Sequence, residues 1–275
     1  MQTLNVPLNS NPAAPEAAPR LDLEKASFLE LLDHLLRHRE QFFEGIFTGS
    51  HVGKWSRWFL LILVFLTAVY GLTMGTLGFT RSVTQGLLQS LTSGLKVPLL
   101  YLVSLGVSFP VLYIVLVLMG ARLRFTQTLA LILMALALNS VLLASCAPIV
   151  LFFILTGSDY HFIKLLHVGI FTFSGCWAMM ALWRGLQTMC EKSNLYPRQA
   201  NNILKIWILV FGFVGTQMAW SLRPFVGSPA LDYQVFRAGQ TGNFYQAVWS
   251  SLGNLAHDST GVTPSPSKAA PSKPE

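Results

Sequence analysis

FTQTLALILMALALNSVLLASCAPIVLFFIL, residues 125–155, carries no charged side chain from end to end. An α-helix rises 1.5 Å per residue, so about 20 apolar residues cross about 30 Å of hydrocarbon. This stretch exceeds that length and reads as a membrane span with room to tilt or bend. Pro148 inside it predicts a kink, because proline has no N–H for the preceding turn.

Four more blocks meet the same criterion, at about 57–78, 97–119, 161–183 and 203–222. None contains Asp or Glu, and their few Lys and Arg stand near the ends. The predicted fold class is therefore all-α: a polytopic transmembrane helix bundle with five spans and an N-terminal amphipathic helix. Composition agrees. The chain is 52% hydrophobic and 11% charged, whereas a soluble domain is about 25% charged. The net charge of +7 is scattered around apolar blocks and forms no dense basic run. That pattern argues for no nucleic-acid partner; excess Lys and Arg report orientation and contact with anionic membrane lipids.

The flanks divide the rest. Residues 1–25 are rich in Pro and Ala, read as disordered, and contain no signal-peptide core, so the first span acts as its own insertion signal. Residues 26–56 read as an amphipathic helix over 26–47 plus a connector. Ser27 and Glu30 have capping-box spacing. Phe28, Leu31, Leu32, Leu35 and Leu36 form an apolar stripe; Asp33, His34, Arg37, His38 and Arg39 make up much of the other face. Too charged to cross, this helix is expected on the lipid surface or against a partner. After the five-span domain, 57–223, residues 224–255 read as an extracytoplasmic interfacial segment. Its Tyr233, Phe236, Phe244, Tyr245 and Trp249 suit a membrane interface. Residues 256–275 read as a disordered tail. Between the first two spans, Leu87, Leu88, Leu91 and Leu95 predict a short surface helix.

Basic residues near span ends predict orientation. Arg37, Arg39, Lys54, Arg57, Arg122, Arg124, Arg184, Lys192, Arg198 and Lys205 fall on one side, and Arg81, Lys96, Lys164, Arg223 and Arg237 on the other. The excess sets the N-terminus in the cytoplasm and the C-terminus outside.

No nucleotide-binding, zinc-hydrolase, serine-hydrolase or DxD-type metal motif is present. The reading is a protein with no catalytic residues, no cofactor and no metal site. Cys146, Cys176 and Cys190 have no ligand spacing and read as small apolar contacts. His34 and His38 stand four apart and would share a helical face, but the pair reads as part of a solvated basic surface. No carboxylate lies inside a span, which argues against an ion-driven carrier built on acidic groups.

One polar constellation emerges from depth. Asn139 and Gln217 each lie 14 residues into spans entering from the cytoplasm, about 21 Å deep. His167 lies about 9 Å in from the opposite side, and Tyr70 and Ser104 fall at similar depth. Tyr70, Ser104, Asn139, His167 and Gln217 thus form a candidate polar layer in the outer half. It would bind a polar headgroup, line a solute path, or simply hydrogen-bond between helices. Gly71 and Gly75, with Gly78 beyond, and the pair Gly212 and Gly215 mark packing faces. Pro98 is expected in a first turn and Pro110 at a kink.

The segments LLRHREQFFEGI (35–46), LKVPLLYL (95–102) and FVGTQMAWSLRPFVGSP (213–229) carry a resemblance. With the intervening spans they resemble a family of uncharacterised bacterial multi-span proteins, which implies a bacterial inner-membrane location and no particular activity. The architecture of five spans with a cytoplasmic N-terminus is also similar to the Yip-type membrane-trafficking proteins, whose DLYGP-type motif this chain lacks.

Three function classes remain in order: a scaffold, assembly or lipid-organising protein; a transport component or pore; and an intramembrane enzyme with His167 as base. The expected partners are membrane lipids, with residues 26–47 and 230–252 as candidate contacts for a protein partner.

Overall fold

The computed structural model describes residues 27–118, 120, 124–192, 200–227, 233–236 and 243–260. Among these, every regular element is helical. α1 is Phe28–Arg37 and α2 is Arg39–Thr48. α3 is Val52–Gly75, tightened into a 3-10 turn at Thr76–Thr80. α4 is Val83–Leu118, α5 Phe125–Leu155, α6 Tyr160–Lys192, α7 Ala200–Ser221 and α8 Phe244–Thr260. Five helices, α3 to α7, are long and apolar enough to cross a membrane.

Successive spans run antiparallel. The near end of the bundle holds α2 and the start of α5; the far end holds the α3–α4 turn, the start of α6 and α8. α5 is the hub: 67% of its most apolar stretch is buried, against 17% for α7. α3 packs on α4 and α5, α6 on α5, and α7 chiefly on α4. The outward surface is apolar too, with Phe65 57%, Ile114 57% and Leu209 74% exposed. Such a surface would cost free energy in water and suits hydrocarbon. The chain is a membrane-embedded helical bundle.

Glycine sets the α3–α4 spacing. A Cβ at Gly71 would sit 2.5 Å from the Ser93 carbonyl oxygen, and one at Gly75 would overlap the backbone of Ser90. The GxxxG face therefore packs within the chain. Gly212 and Gly215 behave differently. Nothing lies within 4 Å of a Cβ at Gly212, and only Ser104 Oγ, at 3.9 Å, near one at Gly215. They face open space rather than a packed helix.

Several expectations need correction. The surface helix before the second span does not exist separately; it is the first part of α4, continuous with the span. Its leucine stripe, Leu87, Leu88, Leu91 and Leu95, points outward, while Gln89, Ser90, Ser93 and Lys96 are buried. Pro98 is consequently in a helix interior and not in a first turn.

The N-terminal segment is two helices meeting at His38, with the Ser27–Glu30 capping box formed. Its apolar side chains pack into the bundle: the Phe42 ring centroid is 4.7 Å from Trp55 and 5.4 Å from Phe59. His34 is buried and hydrogen-bonded to Gln41 at 2.9 Å, whereas Leu36 is exposed. Gln127 Nε2 donates to the carbonyls of Ile46 (2.8 Å) and Phe47 (3.1 Å), tying the end of α2 to α5. Beyond the spans, helix α8 extends to Thr260, past the expected start of the tail. The segments expected to be disordered at 1–25 and beyond 260 lie outside the described residues, as do the side chains of Arg122, Cys190, Arg198, Arg237 and His257.

Because the obstacle at Gly75 is backbone, it cannot yield as a side chain would. Gly75→Ala should destabilise the protein by about 1–3 kcal/mol, the usual cost of overpacking. Gly212→Ala should not. Thermal unfolding of the two variants in detergent checks this, and equal stability would contradict the close approach.

Candidate functional site

The far end is closed by a strap. After α7 the chain turns across α3 and α4, and a Cβ at Gly227 would stand 2.9 Å from the Gly78 backbone. The buried polar face of α4 holds the strap by its carbonyls. Gln89 Nε2 donates to Phe225 O at 3.0 Å, Ser93 Oγ donates to the same oxygen at 2.5 Å, and Lys96 Nζ donates to Pro224 O at 3.1 Å and also to Val235 O. The Lys96 ammonium also lies 5.0 Å from the Phe236 ring centre. Lys96 is thus a clasp, a role its position at a span end did not announce.

α6 and α7 meet at the near end, where Lys205 lies 4.4 Å over the Trp183 ring. α7 is also fixed to α4, where Trp207 Nε1 donates to Ser108 O at 2.9 Å. Further toward the far end α6 and α7 part. A cavity of about 670 Å³ opens between α4, α6 and α7, with the strap and α8 over its far end. Its lining is mostly apolar, including the glycine face of α7 and Gly175 of α6.

The candidate layer separates around this cavity. Tyr70 of α3 is hydrogen-bonded through its hydroxyl to His167 Nδ1 at 2.9 Å. Asn139 of α5 donates through Nδ2 to the Tyr101 hydroxyl at 2.7 Å. Phe171 joins the two pairs, edge-on to Tyr70 at 5.5 Å and stacked with Tyr101 at 6.4 Å. Ser104 lies one turn from Tyr101 on the same face of α4. Ser104, Asn139 and His167 all line the cavity. Gln217 does not: it is half-buried, one step around α7 from the cavity-facing Thr216.

Sequence depth alone missed Tyr101, the acceptor for Asn139. Its spacing of three from Ser104 was the available signal. Lys164 was missed as well. It lines the cavity one turn toward the far end from His167 and donates to Ser251 Oγ of α8 at 2.9 Å.

Ser104, Asn139 and His167, which line the cavity, each hold a buried polar atom with no hydrogen-bond partner: Oγ, Oδ1 and Nε2 respectively. The three residues are 0%, 3% and 3% exposed. A buried polar atom without a partner costs about 1–3 kcal/mol, and these three lie on residues that line one cavity, just beneath its surface. Cys176 lines the same cavity, but it lies about 14 Å along α6 from His167, beyond proton-transfer reach. Among the described residues no three His, Cys, Asp or Glu gather to hold a metal. No family model, curated protein or solved structure matches the chain.

If the Tyr70–His167 bond holds α3 to α6, Tyr70→Phe should cost about 0.6–1.7 kcal/mol, the range for hydrogen bonds between membrane helices. Reversible unfolding in bicelles measures this. No loss of stability would assign the pair to something other than bundle cohesion.

Proposed function

We propose that this protein is a lipid-organising integral membrane protein without catalytic activity, and that it holds lipid in the cavity between α4, α6 and α7. The observation that carries this is the combination of an apolar, glycine-faced slot with three lining residues, Ser104, Asn139 and His167, that each hold an unpartnered polar atom. An amphiphile has both parts: a chain for the slot and esters or hydroxyls for Ser104, Asn139 and His167. α7 supports the same reading. It is the least buried span and touches α6 little, so the slot is bounded by a helix that faces lipid.

The proposed location is the inner, or plasma, membrane of a bacterium, with the N-terminus cytoplasmic. The balance of Lys and Arg around the span ends favours that orientation. In a scaffold of this kind a protein partner would bind through 26–47 or 230–252. Much of the apolar face of α1 and α2 is already used within the chain, which leaves α8, with Trp249 76% exposed, as the better candidate.

The second reading is a transport component or pore. It is favoured by the position of the same residues in the outer half of the bundle, along the wall a passing solute would meet. Flux of small polar solutes into proteoliposomes separates the two.

Gly215→Leu should fill the slot without disturbing packing, since only Ser104 Oγ is near its new Cβ. Native mass spectrometry of protein released from nanodiscs should find lipid retained by the parent chain and lost from this variant at unchanged thermal stability. A parent chain that retains none would remove the lipid reading. For orientation, a green fluorescent protein fused at the N-terminus should fluoresce and alkaline phosphatase fused at the C-terminus should be active. The reverse pattern would invert the topology.

A further inference from the structure

We propose that the slot selects a membrane phospholipid with an anionic headgroup, its phosphate held by Lys164 and Arg223 and one acyl chain lying between α6 and α7. The inference rests on the lipid-organising reading and deepens it by naming the lipid class.

The first argument is charge. The described cavity lining includes Lys164 and Arg223 and no Asp or Glu. Both cations stand at the far end, where a headgroup would emerge from hydrocarbon. The ammonium of Lys164 has three donors, and among the described residues it makes one hydrogen bond, to Ser251 Oγ at 2.9 Å. The Arg223 guanidinium lies over the Trp220 ring at 3.5 Å, which fixes its plane. A planar guanidinium matches the oxygens of a phosphate.

The second argument is direction. Lys164, His167, Phe171, Gly175 and Met179 follow one another along a single face of α6, three or four residues apart. The face therefore grades from cation through polar and aromatic groups to an apolar floor. α7, running the other way, grades in the same sense, from the Arg223 end to Ile208. Two facing helices with matching gradients describe one amphiphile in one orientation.

The third argument is shape. From Tyr160 to Met179 the lining extends about 28 Å along α6. A volume of about 670 Å³ over that length leaves roughly 24 Å² of cross-section. That is a slot the width of one extended chain. α6 and α7 have few contacts with each other, so a second chain can remain in the bilayer.

The test uses the full chain in nanodiscs of equimolar dioleoyl phosphatidylglycerol and dioleoyl phosphatidylcholine, with the lipid retained on release counted by native mass spectrometry. Phosphatidylglycerol should be retained in preference. Lys164→Gln should lower that preference about five-fold, the equivalent of roughly 1 kcal/mol per basic residue facing an anionic lipid. The glutamine can still donate to Ser251, so the contact with α8 and the thermal stability should persist. Lys164→Arg should retain the preference. Equal retention of the two lipids by the parent chain, or an unchanged preference in Lys164→Gln, overturns the inference while leaving the lipid-organising reading intact. A single-chain fatty acid or a protein partner recovered on this face in place of phosphatidylglycerol also overturns it. Retention of no lipid at all removes both readings.

Discussion

Hydrocarbon offers a polar group no hydrogen-bond partner, so each buried polar atom of a membrane protein must find one inside the chain or stay unpaired at a cost. Most of this structure can be understood as a response to that constraint. Many serine and threonine hydroxyls along the spans turn back onto carbonyls of their own helices, as Thr67 does to Leu63 at 2.6 Å and Ser108 to Ser104 at 2.7 Å. Groups with more to satisfy reach across helices. Gln127 ties α5 to the end of α2, Trp207 ties α7 to α4, and Gln89, Ser93 and Lys96 together clasp the strap. Among the described residues Ser90 Oγ, His161 Nδ1 and Trp183 Nε1 also lack a partner, but they lie off the cavity, whereas Ser104, Asn139 and His167 all line it.

The arrangement of the helices follows from which faces can approach. α3 and α4 meet backbone to backbone because Gly71 and Gly75 remove the side chains that would hold them apart. That contact, with α5 laid across α3, makes a rigid half. α6 and α7 have glycines as well, but those of α7 and Gly175 of α6 face a gap rather than a neighbour. The same residue type closes one interface and leaves room in another. What differs is the partner: Ser90 and Ser93 of α4 come up to the glycines of α3, whereas α7 turns its glycines toward a helix held away from it.

The sequence carried the span count and little of the azimuth. Long uncharged runs such as 125–155 are decided by the thickness of the bilayer, and the helix over that run has the same bounds. Depth could also be counted, which brought Tyr70, Ser104, Asn139 and His167 to one region. Rotation about each helix axis is set by packing, which no count along the chain contains. Gln217 shows the consequence: its depth is right and its face is wrong. The leucine stripe at 87–95 misled for a related reason. In water an apolar stripe marks the buried side of a helix, whereas in α4 the polar side is buried and the leucines face outward. Lys96 and Lys164 read as orientation signals, although each also makes a specific bond that only the folded far end supplies.

An open cavity beside a strict hydrogen-bond economy is best explained by an occupant that brings its own polar groups. A water-filled path would satisfy Ser104, Asn139 and His167, but a continuous column needs polar groups along its length. Below these three the lining is Thr172, whose hydroxyl donates to its own helix, and then Gly175, Cys176, Met179 and Ile208, which offer water little. An interhelical hydrogen bond would also have satisfied the three, yet Tyr70 and Tyr101 each complete only one side of their pairs. A molecule with a charged end, a polar middle and a hydrocarbon end meets every part of this wall. The bilayer around the protein is made of such molecules, and α7, with little of its surface buried in the bundle, is the helix beside which one would enter.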